Sequence, residues 1–232
     1  MERALTNIIN SENLNDYPLF IEFCLYKEKG LRKQSLKSLN LFLQQALEWD
    51  IKKQQQFACW IFEVIEVSED VHQVLIHPLE ERLLKPLMEK WMDLNPEDPR
   101  MYRWYGLFLN IDKRTTYLDK ALKLGGDKEQ LVILKLIDIY IDSLWYSFHH
   151  ISEDLYLGDI QEDRLLLKKI EQLSKKVEKE EYKINIYQLV SYYSNLMSDW
   201  ISFSSEGTVG FVQWCEDKGK GYEFTKIYYY EK

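Results

Sequence analysis

Asp138, Asp142, Tyr146, His149 and Glu153 are the residues whose types and spacing come closest to chemistry. Steps of four, four, three and four place two carboxylates, a phenol, an imidazole and a third carboxylate along one stripe of a helix. A histidine and a carboxylate one turn apart can share a metal ion, as helical zinc and iron sites do. With His150 alongside, this makes a metal-dependent enzyme using His149, His150 and Glu153 the alternative reading. Such a site needs ligands from other elements, and only His72 and His77 remain as further histidines. Set five apart beside Pro78, they do not share a helical face and read as loop or helix-start residues. The same polar stripe is also what any amphipathic helix presents to water. Trp145 stands at its border with the apolar stripe, where an indole packs inward and keeps its N–H for a partner. The face is therefore read as one that binds: Asp142, Trp145, Tyr146, His149 and His150 are the candidate partner-contacting residues. No residue is assigned a catalytic or metal-ligating role.

Other catalytic patterns are missing from the sequence. There is no Gly-x-Ser-x-Gly elbow for a nucleophilic serine, no Walker loop and no Gly-x-Gly-x-x-Gly fingerprint. Gly125-Gly126-Asp127 reads as a helix stop followed by a cap. No cofactor is expected. Lys168, Lys169, Lys175 and Lys176, interspersed with Glu171, Glu178, Glu180 and Glu181, read as a solvated helix carrying ion pairs.

The elements that position these residues are helices. All five prolines lie at or before Pro99, and Gly158 is the one glycine between Asp127 and Glu206. Long helices tolerate few of either residue. Apolar residues recur at helical spacing in several segments: Leu36, Leu39 and Leu43; Phe57, Trp60, Ile61 and Val64; Leu84, Leu87, Met88 and Trp91. The series Leu134, Ile137, Ile141, Leu144, Trp145 and Phe148 is the strongest, and Leu166–Val177 and Ile186–Ile201 continue it. Pro78 and Pro86 start or kink helices. The expected fold is all-α, with about nine or ten helices stacked as antiparallel hairpins in a solenoid-like array. A helical domain over 1–206, with a sub-boundary near 95–99, is followed by a glycine-bearing appendage over 207–232. Alternation in Tyr222–Tyr228 predicts a short extended or β tail, paired with a segment such as Thr208–Val212.

Around residues 84–126 the chain resembles a degenerate tetratricopeptide repeat. Leu84, Met88 and Trp91 fall at the second-helix spacings and Pro96 at the terminating proline. Tyr102-Arg-Trp-Tyr105-Gly106-Leu-Phe-Leu109 takes the place of the next first helix, and Leu118, Ala121 and Gly125-Gly126 close a second unit. Tyr105 stands where leucine is usual, and Arg114 where a small residue is expected. The resemblance implies stacked helix hairpins in which Gly106 lets two helices approach closely, and it implies peptide or protein binding.

Composition sets the class of partner. Hydrophobic residues make up 46% and charged residues 29% of the 232 residues, enough to bury a core. A net charge of −8, from 30 Lys+Arg against 38 Asp+Glu, disfavours nucleic acid and anionic membrane. No stretch offers the ~20 largely apolar residues of a membrane span, and MERALTNIIN lacks the apolar core of a secretory signal. Cys24, Cys59 and Cys215 are odd in number and never form a Cys-x-x-Cys pair, which fits a reducing cytoplasm. The sequence thus reads as an intracellular helical interaction module for another protein or a peptide. The sixteen tyrosines and seven tryptophans supply side chains favoured at binding surfaces. Oligomeric state is not legible from these features.

Overall fold

The computed structural model describes residues 3–11, 15–207 and 210–225. Its described residues are helical almost throughout and include no strand. The one β-type contact among the described residues is an isolated bridge between Arg3 and Glu69. The chain forms two compact units, Met1–Leu124 and Gly125–Lys232.

The first unit opens with α1 (Ala4–Ile9), α2 (Pro18–Glu28), α3 (Arg32–Leu47) and α4 (Ile51–Glu66). Pro18 sits at the start of α2, where its missing N–H costs nothing. Asp50 caps α4 by accepting the Lys53 N–H at 2.8 Å. Phe20, Phe42 and Phe57 are fully buried, with ring centres 4.9–5.1 Å apart. Tyr17 stacks on Trp60 at 5.0 Å beside them. This aromatic cluster fixes α2, α3 and α4 on one another.

Two helices of the first unit change pitch midway. A single turn, α5 (His77–Leu79), widens to π geometry over Glu80–Leu84 and tightens again as α6 (Lys85–Leu94). Pro86 lacks the N–H a regular helix would donate to Arg82, and its ring crowds that carbonyl, so the widened turn falls where it relieves the conflict. His77 thus begins a helix, Pro78 occupies its first turn, and His72 lies in a 3-10 turn, Val71–Gln73. After the Asn95–Asp98 loop comes α7 (Pro99–Trp104), which passes into a second π turn over Tyr105–Leu109 and is followed by α8 (Arg114–Gly125). Gly106 sits where a Cβ would stand 2.9 Å from Leu118 Cδ2 and 3.1 Å from Tyr117 Cβ. A larger residue there would push α8 away.

The second unit comprises α9 (Gln130–Phe148), α10 (Ile160–Ser174), α11 (Glu180–Glu206) and α12 (Phe211–Asp217). α10 packs on both α9 and α11. The Gln130 side chain ties the start of α9 to the α10–α11 connection: its amide donates to the Lys176 carbonyl, and its oxygen accepts the Glu178 N–H, both at 2.9 Å. The core is built from Val132, Leu136, Leu144 and Phe148 of α9, Ile170 of α10, Leu196 and Met197 of α11, and Phe211 of α12.

The C-terminal segment departs from the sequence expectation. Phe211 and Val212, expected to pair as a strand, begin α12, where the rings of Phe211, Trp214 and Phe203 pack together. Burying Phe211 and Trp214 on one helical face outweighs their strand propensity. Glu223–Thr225 is a 3-10 turn, and the Tyr228–Tyr230 part of the expected tail lies outside the described residues. Among the described residues no helix is long and apolar enough to cross a membrane. Cys24, Cys59 and Cys215 are all free thiols.

Candidate functional site

Helix α9 points its apolar face inward and leaves Asp138, Asp142, Trp145 and Tyr146 exposed. Trp145 departs from its place in the apolar series: it is 49% exposed, while Tyr140 and Ser147 take positions in the buried face. Residue 145 lies about 100° around the helix from Leu144, at the edge of the core-facing arc.

The stripe does not run on to Glu153, because α9 ends at Phe148. His149 is the C-cap, its N–H bonded to the Trp145 carbonyl at 2.9 Å. Its Nδ1 lies 2.7 Å from the Tyr146 carbonyl, a contact that places the ring proton on Nδ1. The imidazole stacks on Trp145 with centres 4.6 Å apart and planes 15° from parallel, and it lies 5.3 Å from the Tyr146 ring. His150, 4.1 Å further along, meets Glu153 Oε1 through Nδ1 at 2.8 Å. Trp145, Tyr146, His149 and His150 therefore form one continuous ledge of rings at the end of α9. Among the described residues no three His, Cys, Asp or Glu side chains converge to hold a metal ion. The His150–Glu153 pair stands alone in that respect.

Beside the ledge, α9 and α10 enclose an open groove of about 720 Å³. Asp142 and Tyr146 line it from α9; Asp159, Glu162 and Leu165 line it from the start of α10. Trp145 and His149 do not, so the five candidate residues divide between groove and ledge, with Tyr146 shared by both.

The floor of the groove rests on residues that sequence reading missed. Asp163 is 4% exposed, and its carboxylate accepts the Tyr156 hydroxyl. Burial first, and then this bond to a carboxylate, push the Tyr156 phenol above its ordinary value, so it is a fixed donor. The Phe148 ring meets Tyr156 edge-on at 5.0 Å. Gly158 closes the corner: a Cβ there would stand 2.6 Å from Asp163 Oδ2 and 2.7 Å from Ser147 Cβ. The Leu157 N–H donates to the Ser147 carbonyl at 3.0 Å. Asp159 caps α10 by accepting the N–H groups of Gln161 and Glu162 at 2.8 and 2.9 Å. Two signals in the sequence point to this corner. Gly158 is the lone glycine of a long helical region, and Asp159-x-x-Glu162 is the spacing of a helix-start box.

The groove is acidic. Asp142, Asp159, Glu162 and Asp163 line it against the single cation Lys169, whose ammonium lies over the Tyr140 ring at 5.4 Å. Burial raises the Asp138 pKa one turn away; Lys135 opposes the shift, and repulsion from Asp142 adds to it. The excess of lining carboxylates, with the repulsion between Asp138 and Asp142 beside them, describes a region of negative potential. Exposed apolar side chains border it: Tyr146 at 58%, Leu165 at 56% and Leu157 at 42%.

Comparison of the chain with family models, with curated proteins and with solved structures brings no match.

Proposed function

We propose that the protein is a non-catalytic interaction module whose α9–α10 groove and adjoining ring ledge hold a segment of another protein. The observation that carries this reading is the combination at one place of an open groove, four lining carboxylates and exposed Tyr146 and Leu165. Aromatic side chains beside a groove bury large area at small entropic cost. The excess of carboxylates selects the partner: a segment with Lys or Arg flanking an apolar side chain, the cations meeting Asp142 and Glu162 and the apolar group meeting Tyr146 and Leu165. Rigid support favours the same reading, because the Tyr156–Asp163 bond and Gly158 hold the groove floor before any partner arrives.

The first unit supports a helical-hairpin reading of the repeat type. The packing of Gly106 against Leu118 is the close approach that a tetratricopeptide-like pair would use. A solenoid-like stacking of hairpins and a cytoplasmic setting, consistent with three free thiols, belong to the same proposal.

The test is binding of fluorescent basic-apolar peptides to the full chain and to the Asp142→Lys/Tyr146→Ala variant. Micromolar binding that weakens at high salt and is lost in the variant supports the reading. Equal binding to both proteins removes its basis.

A further inference from the structure

The second unit holds another cavity, of about 570 Å³, between α11 and the segment that follows α12. Tyr192, Asn195, Ser198 and Asp199 line it from α11, and Lys220, Gly221 and Tyr222 line it from the segment. At 100° per residue the four helix positions fall within an arc of about 120°, so one side of α11 presents them together. None of these residues lines the α9–α10 groove.

The cavity is polar but electrically balanced. Asp199 is the one carboxylate of its lining and Lys220 the one ammonium, and they pair with each other. Asp199 is 6% exposed and also receives the Tyr222 hydroxyl. The Lys220 ammonium is held over the Trp214 ring, 5.5 Å from its centre. An ionic ligand has to compete with one of these partners and leaves the other charge uncompensated. A neutral ligand can use the lone pairs and N–H bonds that the pair leaves over.

The rest of the lining combines hydrogen-bonding groups with rings. Ser202 and Ser204 of α11 turn their hydroxyls back to the carbonyls of Ser198 and Trp200, at 3.0 and 2.8 Å. The Asn195 amide and the Ser198 hydroxyl are exposed and make no such bond among the described residues. Gly221 has open space where a Cβ would stand, which leaves its peptide accessible. Both phenol hydroxyls are engaged, since Tyr222 donates to Asp199 and Tyr192 accepts the Glu223 N–H at 3.1 Å. What the tyrosines offer a ligand is therefore ring surface, and their rings meet edge to face with centres 5.7 Å apart.

We propose that this cavity binds a neutral polyhydroxylated ring, a sugar or a cyclitol. Ring hydroxyls both donate and accept, which suits Asp199 as acceptor, Lys220 as donor, and Asn195 and Ser198 as either. The C–H faces of such a ring are apolar enough to rest on Tyr192 and Tyr222. The volume lies within the about 300–1,000 Å³ usual for small-molecule sites. Because helix and segment both supply the lining, the bound ring bridges them and holds the segment on α11.

The experiment is ligand-observed NMR titration of the full chain with methyl glucoside, methyl galactoside, methyl mannoside, N-acetylglucosamine and myo-inositol, and with the charged rings glucosamine and glucuronate. The proposal expects saturable binding of at least one neutral ring, about tenfold or more tighter than either charged one. Asn195→Ala and Ser198→Ala should each weaken it by about tenfold, and Ser191→Ala, an exposed serine of α11 outside the cavity, should leave it unchanged. Asn195 and Ser198 are exposed, so both variants should keep the parent's thermal stability, and lost affinity is separable from unfolding. The saturating ring should also slow tryptic cleavage at Lys220. Absence of saturable binding by all five neutral rings up to about 50 mM overturns the proposal. Tighter binding of a charged ring overturns it too, as does affinity unchanged in both Asn195→Ala and Ser198→Ala.

Discussion

The Tyr156 hydroxyl donates to the Asp163 carboxylate, and this bond ties the α9–α10 connection to the first turn of α10. It neutralises nothing; it supplies a hydrogen bond to a charge that is almost wholly buried, near a helix start where negative charge is favoured.

Removing that donor should therefore be felt. Tyr156→Phe keeps the ring against Phe148 but leaves the Asp163 carboxylate without its hydroxyl, and should cost about 1–3 kcal/mol in urea unfolding. Adding Asp163→Asn should bring a total smaller than the sum of the two single costs, since the residues share one interaction. Strict additivity would mean that the pair does not act as a unit.

Gly158→Ala should destabilise by about 1–3 kcal/mol, since the new methyl meets both Ser147 and Asp163 inside contact distance. The same variant should lose affinity for groove-binding peptides, because the corner can relieve the overlap only by moving the start of α10. An unchanged urea midpoint would show that the corner is looser than its geometry implies.

Alkaline pH should weaken the fold through its tyrosines. Burial holds the Tyr105 and Tyr193 phenols up at about 12 and pushes Tyr156 and Tyr222 upward too. In the unfolded chain these groups ionise near about 10. The unfolded state therefore binds fewer protons than the native state above that pH, and stability falls there as pH rises. The contribution is fully present below pH about 10 and is lost as pH rises through about 12. Urea midpoints at pH 9, 10 and 11, with tyrosinate absorbance followed in parallel, should show constant stability and then decline. Complete tyrosine ionisation at pH 10.5 with the fold intact would contradict this.

Asp199 of α11 is buried and receives both the Lys220 ammonium and the Tyr222 hydroxyl, so it latches the segment after α12. Asp199→Asn should expose that segment to trypsin at Lys218 and Lys220 while the helical signal of the chain persists. Unchanged cleavage rates would assign the segment's placement to other contacts, such as the Glu223 N–H bonded to the Tyr192 hydroxyl at 3.1 Å.

The helices themselves were legible in the sequence, because periodic residues such as Ile137, Leu144 and Phe148 on α9 do face the core. Placement of individual residues at the edge of such a stripe was not. Trp145 fits the apolar series by spacing yet stands half exposed, since one residue step turns it about 100° from the core. The end of α9 was also hidden. Nothing in His149-His150 forbids helix, yet α9 stops at Phe148; beyond the 3-10 turn over Ile151–Glu153, Asp154 has a left-handed backbone and its carboxylate caps α12 by accepting the Phe211 N–H at 2.6 Å. Such a cap, reaching from one element to another far along the chain, has no local signature. The groove floor was missed for a similar reason: Tyr156, Gly158 and Asp163 look ordinary singly and acquire meaning only where the α9–α10 connection folds back on Ser147. Strand propensity misled at Phe211 and Val212, because aromatic residues suit a buried helix face equally well.

The central claim is that the α9–α10 groove recognises basic-apolar segments of other proteins, and display selection of random peptides tests it most directly. Wild-type chain serves as bait, with counter-selection on Asp142→Lys/Tyr146→Ala. Both substituted residues are exposed, so the variant should fold as the parent does, within about 0.5 kcal/mol. The account predicts enriched peptides in which Lys or Arg flanks an apolar side chain. Their affinity should fall about 30-fold or more on Trp145→Ala, with thermal stability preserved. Enrichment of acidic peptides, or of peptides that bind the variant as tightly as the wild type, would contradict it.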